Sequence, residues 1–376
     1  MVWTSLLVNG SSVATEQRVP TRVPPHPHRR PTVRPLRRPR LGLPLAGALA
    51  LVLGATLAAG APTAAAGTPD DTPAAERPAA AASVPRHAVT GYWQNFDNGA
   101  TVQKLRDVQD DYDIIAVAFA DSTTRTGEIE FNLDPRLGYS SDQEFRNDIA
   151  AKRAAGKAVI ISVGGELGNV IVNDDASARR FAESTHALMR EYGFDGVDID
   201  LEHGINATYL SRALRQLSGL AGPGMVLTMA PQTLDMQSTG SEYFKLALAV
   251  KDILTVVNTQ YYNSGSMLGC DGKVYHQGSV DFLTALACIQ LEGGLDPSQV
   301  GLGLPASTRG AGSGYVAPSV VTAALDCLTR GTRCGGFTPP RTYPGLRGAM
   351  TWSTNWDASA GNAWSSVVGP HVRTLP

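Results

Sequence analysis

Four carboxylates lie close together in residues 194–202, which read FDGVDIDLE. Side chains alternate along a β-strand, so if the intervening Val, Ile and Leu face one side, Asp198, Asp200 and Glu202 share the other. Carboxylates crowded in one row cannot all ionise at low cost, so at least one pKa rises. A general acid near neutral pH needs a raised pKa, so the row predicts acid–base chemistry with Glu202 as the acid. Asp195 has the opposite parity and is expected to close the preceding turn.

The same acids are also compatible with a calcium site or with a structural polar network. D-x-D patterns bind calcium, but a strand row points its carboxylates in line and no glycine-containing loop with a further acidic ligand follows. A zinc site needs closely spaced cysteines or clustered histidines, and the sequence has neither. Catalysis is therefore favoured, and no metal or cofactor is expected.

A fold must hold these acids in place, and the sequence contains eight short apolar runs separated by helix-like segments. Alternating strands and helices of this number and length favour a (β/α)₈ TIM barrel of the α/β class. An open doubly wound sheet is the rival, but no G-x-G-x-x-G follows the first run. Residues 142–155 and 176–192 have the apolar spacing of amphipathic helices. The predicted strands are Ala88–Trp93, Asp113–Phe119, Ala158–Val163, Gly196–Leu201, Met225–Met229, Val256–Tyr261, Val300–Leu304 and Leu346–Trp352.

Reactive residues of such barrels lie at the C-terminal ends of the strands. Six of the predicted strand ends are unusually polar or aromatic, which indicates one shared site. They read YWQN (92–95), SVGG (162–165), DIDLE (198–202), MAPQ (229–232), QYYN (260–263) and MTWS (350–353).

These motifs resemble those of family 18 glycoside hydrolases, the chitinases and their relatives. Residues 195–202 fit the family signature D-x-x-D-x-D-x-E, and residues 162–165 fit its S-x-G-G. Residues 229–232, Gln260 with Tyr262 and Asn263, and Trp352 are also similar to its later strand ends. The resemblance covers residues 87–376 and implies the (β/α)₈ barrel.

The resemblance also implies a substrate-assisted mechanism, an exception to the usual two-carboxylate scheme. Glu202 would protonate the glycosidic oxygen while the sugar's own acetamido carbonyl attacks the anomeric carbon. Asp200 would orient the acetamido group, and Asp198 would share a proton with Asp200. Tyr262 would donate its hydroxyl to the acetamido carbonyl, and Trp352 would floor the −1 sugar.

Nine further positions are predicted to line the substrate site. Tryptophans would stack on the apolar faces of sugar rings, while amide side chains would bind hydroxyl and acetyl groups. Met229 would wall the acetyl pocket. Several positions have a structural alternative: Trp93 as core, Gln260 bonded to backbone, and Gly164 as a point of close chain passage. The nine are Tyr92, Trp93, Ser162, Gly164, Met229, Gln232, Gln260, Asn263 and Trp356.

Residues 1–66 are predicted to be a secretory signal peptide with a long basic n-region. Eight arginines and no acidic residue occupy residues 18–40, an apolar run follows at 41–61, and small residues predict cleavage after Ala66. A membrane anchor is the alternative, although the run is weakly hydrophobic for a span. Residues 67–86, rich in Ala and Pro, are predicted to be a disordered linker, and residues 87–376 the catalytic domain.

Four cysteines in an exported protein suggest two disulfides, for which three pairings exist. We expect nearest-neighbour pairing, Cys270–Cys288 and Cys327–Cys334.

The sequence thus predicts a secreted, endo-acting chitinase. Only about 40 residues separate the last two strands, which leaves no room for a small α/β domain that would deepen the groove. An endo-β-N-acetylglucosaminidase acting on N-glycans is the nearest alternative, and an inactive lectin-like barrel is a second. A chitin or chitooligosaccharide substrate, a monomer and no stable membrane association after cleavage are expected. The net charge of −2 gives no reason to expect nucleic acid.

Overall fold

A computed structural model describes residues 84–376. Eight parallel strands form a closed barrel in chain order, because β1 pairs with both β2 and β8. Every predicted strand is present, with ends shifted by no more than three residues, and the TIM-barrel prediction is confirmed. The strands are β1 (Ala88–Gln94), β2 (Ile114–Ser122), β3 (Ala158–Gly164), β4 (Gly196–Asp200), β5 (Val226–Met229), β6 (Val256–Gln260), β7 (Val300–Pro305) and β8 (Gly348–Trp352).

Helices cover the outside of the barrel, except that a 3₁₀ turn at Leu105–Asp107 replaces a helix between β1 and β2. Further 3₁₀ turns lie at Pro135–Leu137, Thr233–Met236 and Pro297–Gln299. A short strand at Ile129–Glu130 pairs antiparallel with the end of β2, and the strands Ser266–Leu268 and Val274–His276 form an antiparallel hairpin. The helices are α1 (Asp142–Ala154), α2 (Asp175–Tyr192), α3 (Ala207–Ala221), α4 (Glu242–Ala249), α5 (Val280–Glu292), α6 (Pro318–Arg330), α7 (Thr354–Ser359) and α8 (Ser365–Val372).

The strand β4 is positioned by the turn that precedes it. The helix α2 ends at Gly193 in the left-handed conformation, with φ of 79°, as is common at helix C-termini. Asp195 then accepts hydrogen bonds from the backbone nitrogen of Val159 at 2.9 Å and from Nε of Arg153 at 2.8 Å. Asp195 therefore closes this turn, as its parity predicted.

Two separate apolar layers fix the register of β4. Val197 and Ile199 are fully buried in the layer between strands and helices. A second, smaller cluster that includes Ile160 and Met350 fills the barrel interior. A slip of one residue would drive Asp198 into the helix layer, so the apolar residues set the direction of the acids.

Both predicted disulfides are present, Cys270–Cys288 and Cys327–Cys334. Residues 306–347, between β7 and β8, contain α6 and the Cys327–Cys334 loop and no additional α/β domain. In the part of the chain that the structure describes, no helix is long and apolar enough to cross a membrane.

Candidate active site

A groove of about 1190 Å³ crosses the C-terminal end of the barrel. Its walls come from the segments that follow β1, β2, β3, β6, β7 and β8, and Asp200 and Glu202 reach it from β4. This is the end of the barrel at which the sequence predicted a site.

Asp198 lies below the groove, fully buried inside the barrel. Its Oδ2 accepts hydrogen bonds from Tyr92 Oη at 2.8 Å and Ser162 Oγ at 2.6 Å, and its Oδ1 accepts one from Thr228 Oγ1 at 2.6 Å. Burial raises the pKa of Asp198, although the three hydroxyl donors lower it in part. Asp198 is thus a buried acid whose two oxygens are held by three strands.

Asp200 lies one level higher and is only 4% exposed. Its Oδ1 accepts a hydrogen bond from Gln260 Nε2 at 2.9 Å. Burial raises the pKa of Asp200 well above its usual value, and the charges of Glu202 and Asp198 raise it further. Asp200 therefore retains a proton more readily than an exposed aspartate.

Glu202 follows the end of β4 and is partly exposed in the groove. Its Oε1 lies 3.2 Å from Gln260 Nε2. Burial raises the pKa of Glu202, with Glu166 and Asp235 adding to this, while Gln260 and His203 oppose it. The uppermost acid has the raised pKa that a general acid requires.

Tyr262 and Asn263 line the groove at the end of β6. Burial and the charges of Asp200 and Glu202 raise the pKa of Tyr262 well above its usual value, so its phenol is a hydrogen-bond donor. Asn263 has a φ of 52° and accepts a hydrogen bond from the backbone nitrogen of Ser313 at 2.9 Å.

An aromatic surface lies across the barrel from Glu202. Trp352 lines the groove, and its ring stacks on Phe119, with centroids 5.6 Å apart and planes 14° apart. Tyr92 and Phe96 lie at 5.7 and 6.3 Å from the same ring. Such a platform suits the apolar face of a pyranose.

Two predicted substrate contacts are wrong because the side chains point into the helix layer. Trp93 is 0% exposed, stacks on Phe145 at 5.4 Å, and donates its indole N–H to the backbone oxygen of Gln103 at 3.0 Å. Met229 is also 0% exposed and shares the outward register of Ile199. Both belong to the core.

Two more predicted contacts, Tyr92 and Ser162, point inward but lie beneath the groove. They are 1% and 0% exposed, and both donate hydrogen bonds to Asp198. The prediction that they touch substrate is therefore corrected: they hold a carboxylate.

Of the remaining candidates, Gly164 and Trp356 lie in the groove as predicted, whereas Gln232 does not. Gly164 lines the groove, and a Cβ there would collide with the backbone oxygen of Asp200, so close chain passage requires glycine. Trp356 lines the groove beneath the guanidinium of Arg309, which lies 4.8 Å from its ring centroid. Gln232 is exposed beside the 3₁₀ turn 233–236 and is not among the residues that line the groove.

Several groove residues were not predicted. Phe119 ends the second apolar run, and Glu166 directly follows S-x-G-G, so strand-end position was an available signal for both. Leu167, which is 93% exposed, and Arg309 come from loops that carry no such signal.

Comparisons with known proteins agree with this geometry. The sequence profile of the glycosyl hydrolases family 18 matches residues 88–367. Chitinase D of Niallia circulans is 36% identical over 326 residues, covering 76% of this chain and 61% of that protein. Exochitinase 1 of Streptomyces olivaceoviridis is 37% identical over 328 residues, covering 74% of this chain and 55% of that protein.

A solved structure of a Streptomyces coelicolor protein, provisionally named chitinase A, is 72% identical, with a TM-score of 0.77. The match covers 77% of this chain and 99% of that one. The chain spans only 55% and 61% of the length of the two curated relatives. The family match, which extends over most of the chain, shows that this protein belongs to family 18 of the glycosyl hydrolases.

Proposed function

We propose that this protein is a secreted, endo-acting chitinase that hydrolyses β-1,4 linkages between N-acetylglucosamine units by substrate-assisted, retaining catalysis. The observation that carries this proposal is the inward row Asp198–Asp200–Glu202, which ends in a groove with Trp352 on its far side. The names of the similar proteins support chitin as the substrate class.

In the first step, Glu202 donates its proton to the glycosidic oxygen as the bond from that oxygen to the anomeric carbon breaks. The acetamido carbonyl oxygen of the −1 sugar forms the new bond to the anomeric carbon, giving an oxazolinium ion. Asp200 accepts a hydrogen bond from the acetamido N–H and offsets the positive charge of the oxazolinium ion. Tyr262 donates a hydrogen bond from its hydroxyl to the acetamido carbonyl oxygen. Asp198 and Asp200 share one proton, because burial makes it costly for both to ionise.

In the second step, water gives a proton to Glu202, and its oxygen attacks the anomeric carbon from the face that the leaving group vacated. The bond to the acetamido oxygen breaks, so the product retains its configuration. Glu202 regains its proton and the carboxyl row returns to its starting state.

A direct test compares the wild type with Glu202→Gln on soluble chitin oligomers and on an N-glycosylated protein. We expect Glu202→Gln to lower turnover of oligomers about 10²- to 10⁴-fold, as for loss of a general acid. Glu183→Gln, an exposed change on α2, is the matched control. Full turnover by Glu202→Gln would refute the acid assignment, and cleavage of the glycoprotein alone would refute chitinase activity.

Endo action is supported by the lack of an α/β domain in residues 306–347, which leaves the groove without that wall. One relative is named an exochitinase, so product size must decide. Endo cleavage of a soluble polymeric chitin derivative predicts a rapid fall in viscosity and products of mixed length. Release of dimers alone from the earliest times would contradict endo action.

Export and domain limits belong to the same proposal. Residues 1–66 are proposed as the signal peptide and 67–86 as a linker to a monomeric domain at 87–376. Residues 1–83 lie outside the described part of the chain. Mass spectrometry of protein from culture medium should find an N-terminus at Gly67, whereas retention of the whole chain in membranes would contradict export with cleavage.

A further inference from the structure

Gln260 makes an unusual set of contacts at the end of β6. Its side-chain nitrogen lies 2.9 Å from Asp200 Oδ1, 3.2 Å from Glu202 Oε1 and 2.9 Å from the backbone oxygen of Ala230. A carboxamide nitrogen carries two hydrogens, so the three acceptors share two N–H groups. One neutral donor therefore bridges the two acids at the groove.

The end of β5 holds this amide in place. The backbone nitrogen of Gln260 donates to the oxygen of Pro231 at 2.9 Å, and Thr233 Oγ1 donates to the backbone oxygen of Gln260 at 2.6 Å. The Ala230 carbonyl decides which way the amide faces, because only the nitrogen can donate to it. Gln260 is 7% exposed, so its conformation is fixed mainly by protein contacts.

The surroundings explain why the donor is neutral. The ionisable groups that face Asp200 are Glu202, Asp198, Tyr262, Tyr243 and Tyr92. Glu202 is faced by Asp200, Glu166, Asp235, Tyr262 and His203. A lysine at residue 260 would favour ionisation of Glu202 and remove the proton that a general acid must deliver. A carboxamide orients both acids without adding a charge.

We infer that Gln260 is a positioning residue that holds Asp200 turned toward Glu202 and the substrate, rather than a residue that binds sugar hydroxyl or acetyl groups. The inference rests on the proposed function for its catalytic consequence. The contacts of the Gln260 amide with Asp200 and Glu202 do not depend on which substrate is bound.

The inference predicts an effect on titration with a definite sign. The hydrogen bonds from Gln260 lower the pKa of both Asp200 and Glu202 against the effect of burial. Removing the donor should therefore raise both pKa values. Asp200 must be ionised to accept a hydrogen bond from the acetamido N–H, and Glu202 must be protonated to act as the acid. Both limbs of the profile of kcat/KM against pH should therefore move to higher pH.

The test uses Gln260→Met, which keeps the side-chain length and loses the donor, and Gln260→Glu, which keeps the shape. Gln290→Met is the matched control, since Gln290 is a buried amide that donates to Tyr261 Oη at 2.8 Å and does not line the groove. On chitin oligomers, Gln260→Met should lower kcat about 10- to 100-fold, as for a lost hydrogen bond to a charged group, with little change in KM.

A second measurement is independent of turnover. Carbon-13 NMR of the side-chain carboxyls in the unliganded protein should show the Asp200 and Glu202 titrations at higher pH in Gln260→Met, and unchanged in Gln290→Met. If Gln260→Met does not fold, Gln260→Glu should still shift these titrations relative to wild type. Unshifted titrations, or a raised KM with wild-type kcat and pH profile, would overturn the inference. Shifted titrations in a protein that cuts no chitin would refute the proposed function alone.

Discussion

The hydroxyl oxygen of Ser162 lies 2.6 Å from Oδ2 of Asp198, inside the barrel rather than in the groove. The two residues are register partners on the neighbouring strands β3 and β4, as are Gly164 and Asp200. The S-x-G-G and D-x-x-D-x-D-x-E motifs therefore lie side by side on paired strands, and residues of the first contact acids of the second. Ser162 donates a hydrogen bond to Asp198, and Gly164 leaves room for the backbone of Asp200.

Ser162→Ala tests whether the hydroxyls around Asp198 stabilise the fold. Loss of a hydrogen bond to a buried charged group should lower the free energy of unfolding by about 1.5–3 kcal/mol. Denaturant unfolding at neutral pH measures this, with the exposed Ser366→Ala as control. Equal stability of the two variants would show that Ser162 contributes nothing to holding Asp198.

Asp200→Asn should make the protein more stable and less active. The pKa of Asp200 is higher in the folded state than its unfolded value of about 3.9, so the folded state binds more protons between these values. The wild type therefore loses stability as pH rises from about 4 toward the folded pKa, and the asparagine variant avoids this loss. Unfolding measured at pH 4 and pH 7 should show a larger advantage for Asp200→Asn at pH 7. The same advantage at both values would contradict the raised pKa.

Phe119→Leu should weaken substrate binding without changing the acids. The Phe119 ring supports Trp352 from 5.6 Å, and an aromatic pair is worth about 0.5–1.5 kcal/mol beyond its buried area. We expect kcat/KM on chitin oligomers to fall about 2- to 10-fold, mostly through KM. Tyr275→Leu removes an aromatic pair with Phe337 away from the groove and is the control. A fall confined to kcat would argue against a platform role.

The two disulfides should differ in their contributions. They join cysteines 18 and 7 residues apart, and loop-closure entropy then predicts about 3 kcal/mol for Cys270–Cys288 and about 2.5 kcal/mol for Cys327–Cys334. Paired Cys→Ser variants, compared by denaturant unfolding, should rank in that order. A greater loss at Cys327–Cys334 would show that native contacts outweigh chain entropy.

Sequence patterns predicted the frame and the acid row well because strand periodicity controls both. The same alternation that places Asp198 and Asp200 inward also separates Tyr92 from Trp93, and applying it there would have assigned Trp93 to the core. The prediction that Met229 contacts substrate is wrong for the same reason, because its register partner Ile199 faces the helices. Within each strand, alternation therefore determines which side chains point into the barrel and which point toward the helices.

Other features depend on tertiary structure that local patterns do not encode. Leu167 and Arg309 reach the groove from loops whose paths are set by packing against neighbouring segments. The bridge from Gln260 to Asp200 and Glu202 joins residues that are 60 and 58 positions apart, respectively. Such a contact follows from barrel closure and strand register together, and only a three-dimensional arrangement shows it.

The central claim is that the substrate's own acetamido group is the nucleophile. Its most direct test is to digest partly deacetylated chitosan and identify the sugar at each newly formed reducing end by mass spectrometry. Substrate assistance predicts that this unit is N-acetylglucosamine in every product, whatever the composition of the polymer. Glucosamine at new reducing ends in proportion to its abundance in the substrate would contradict the mechanism.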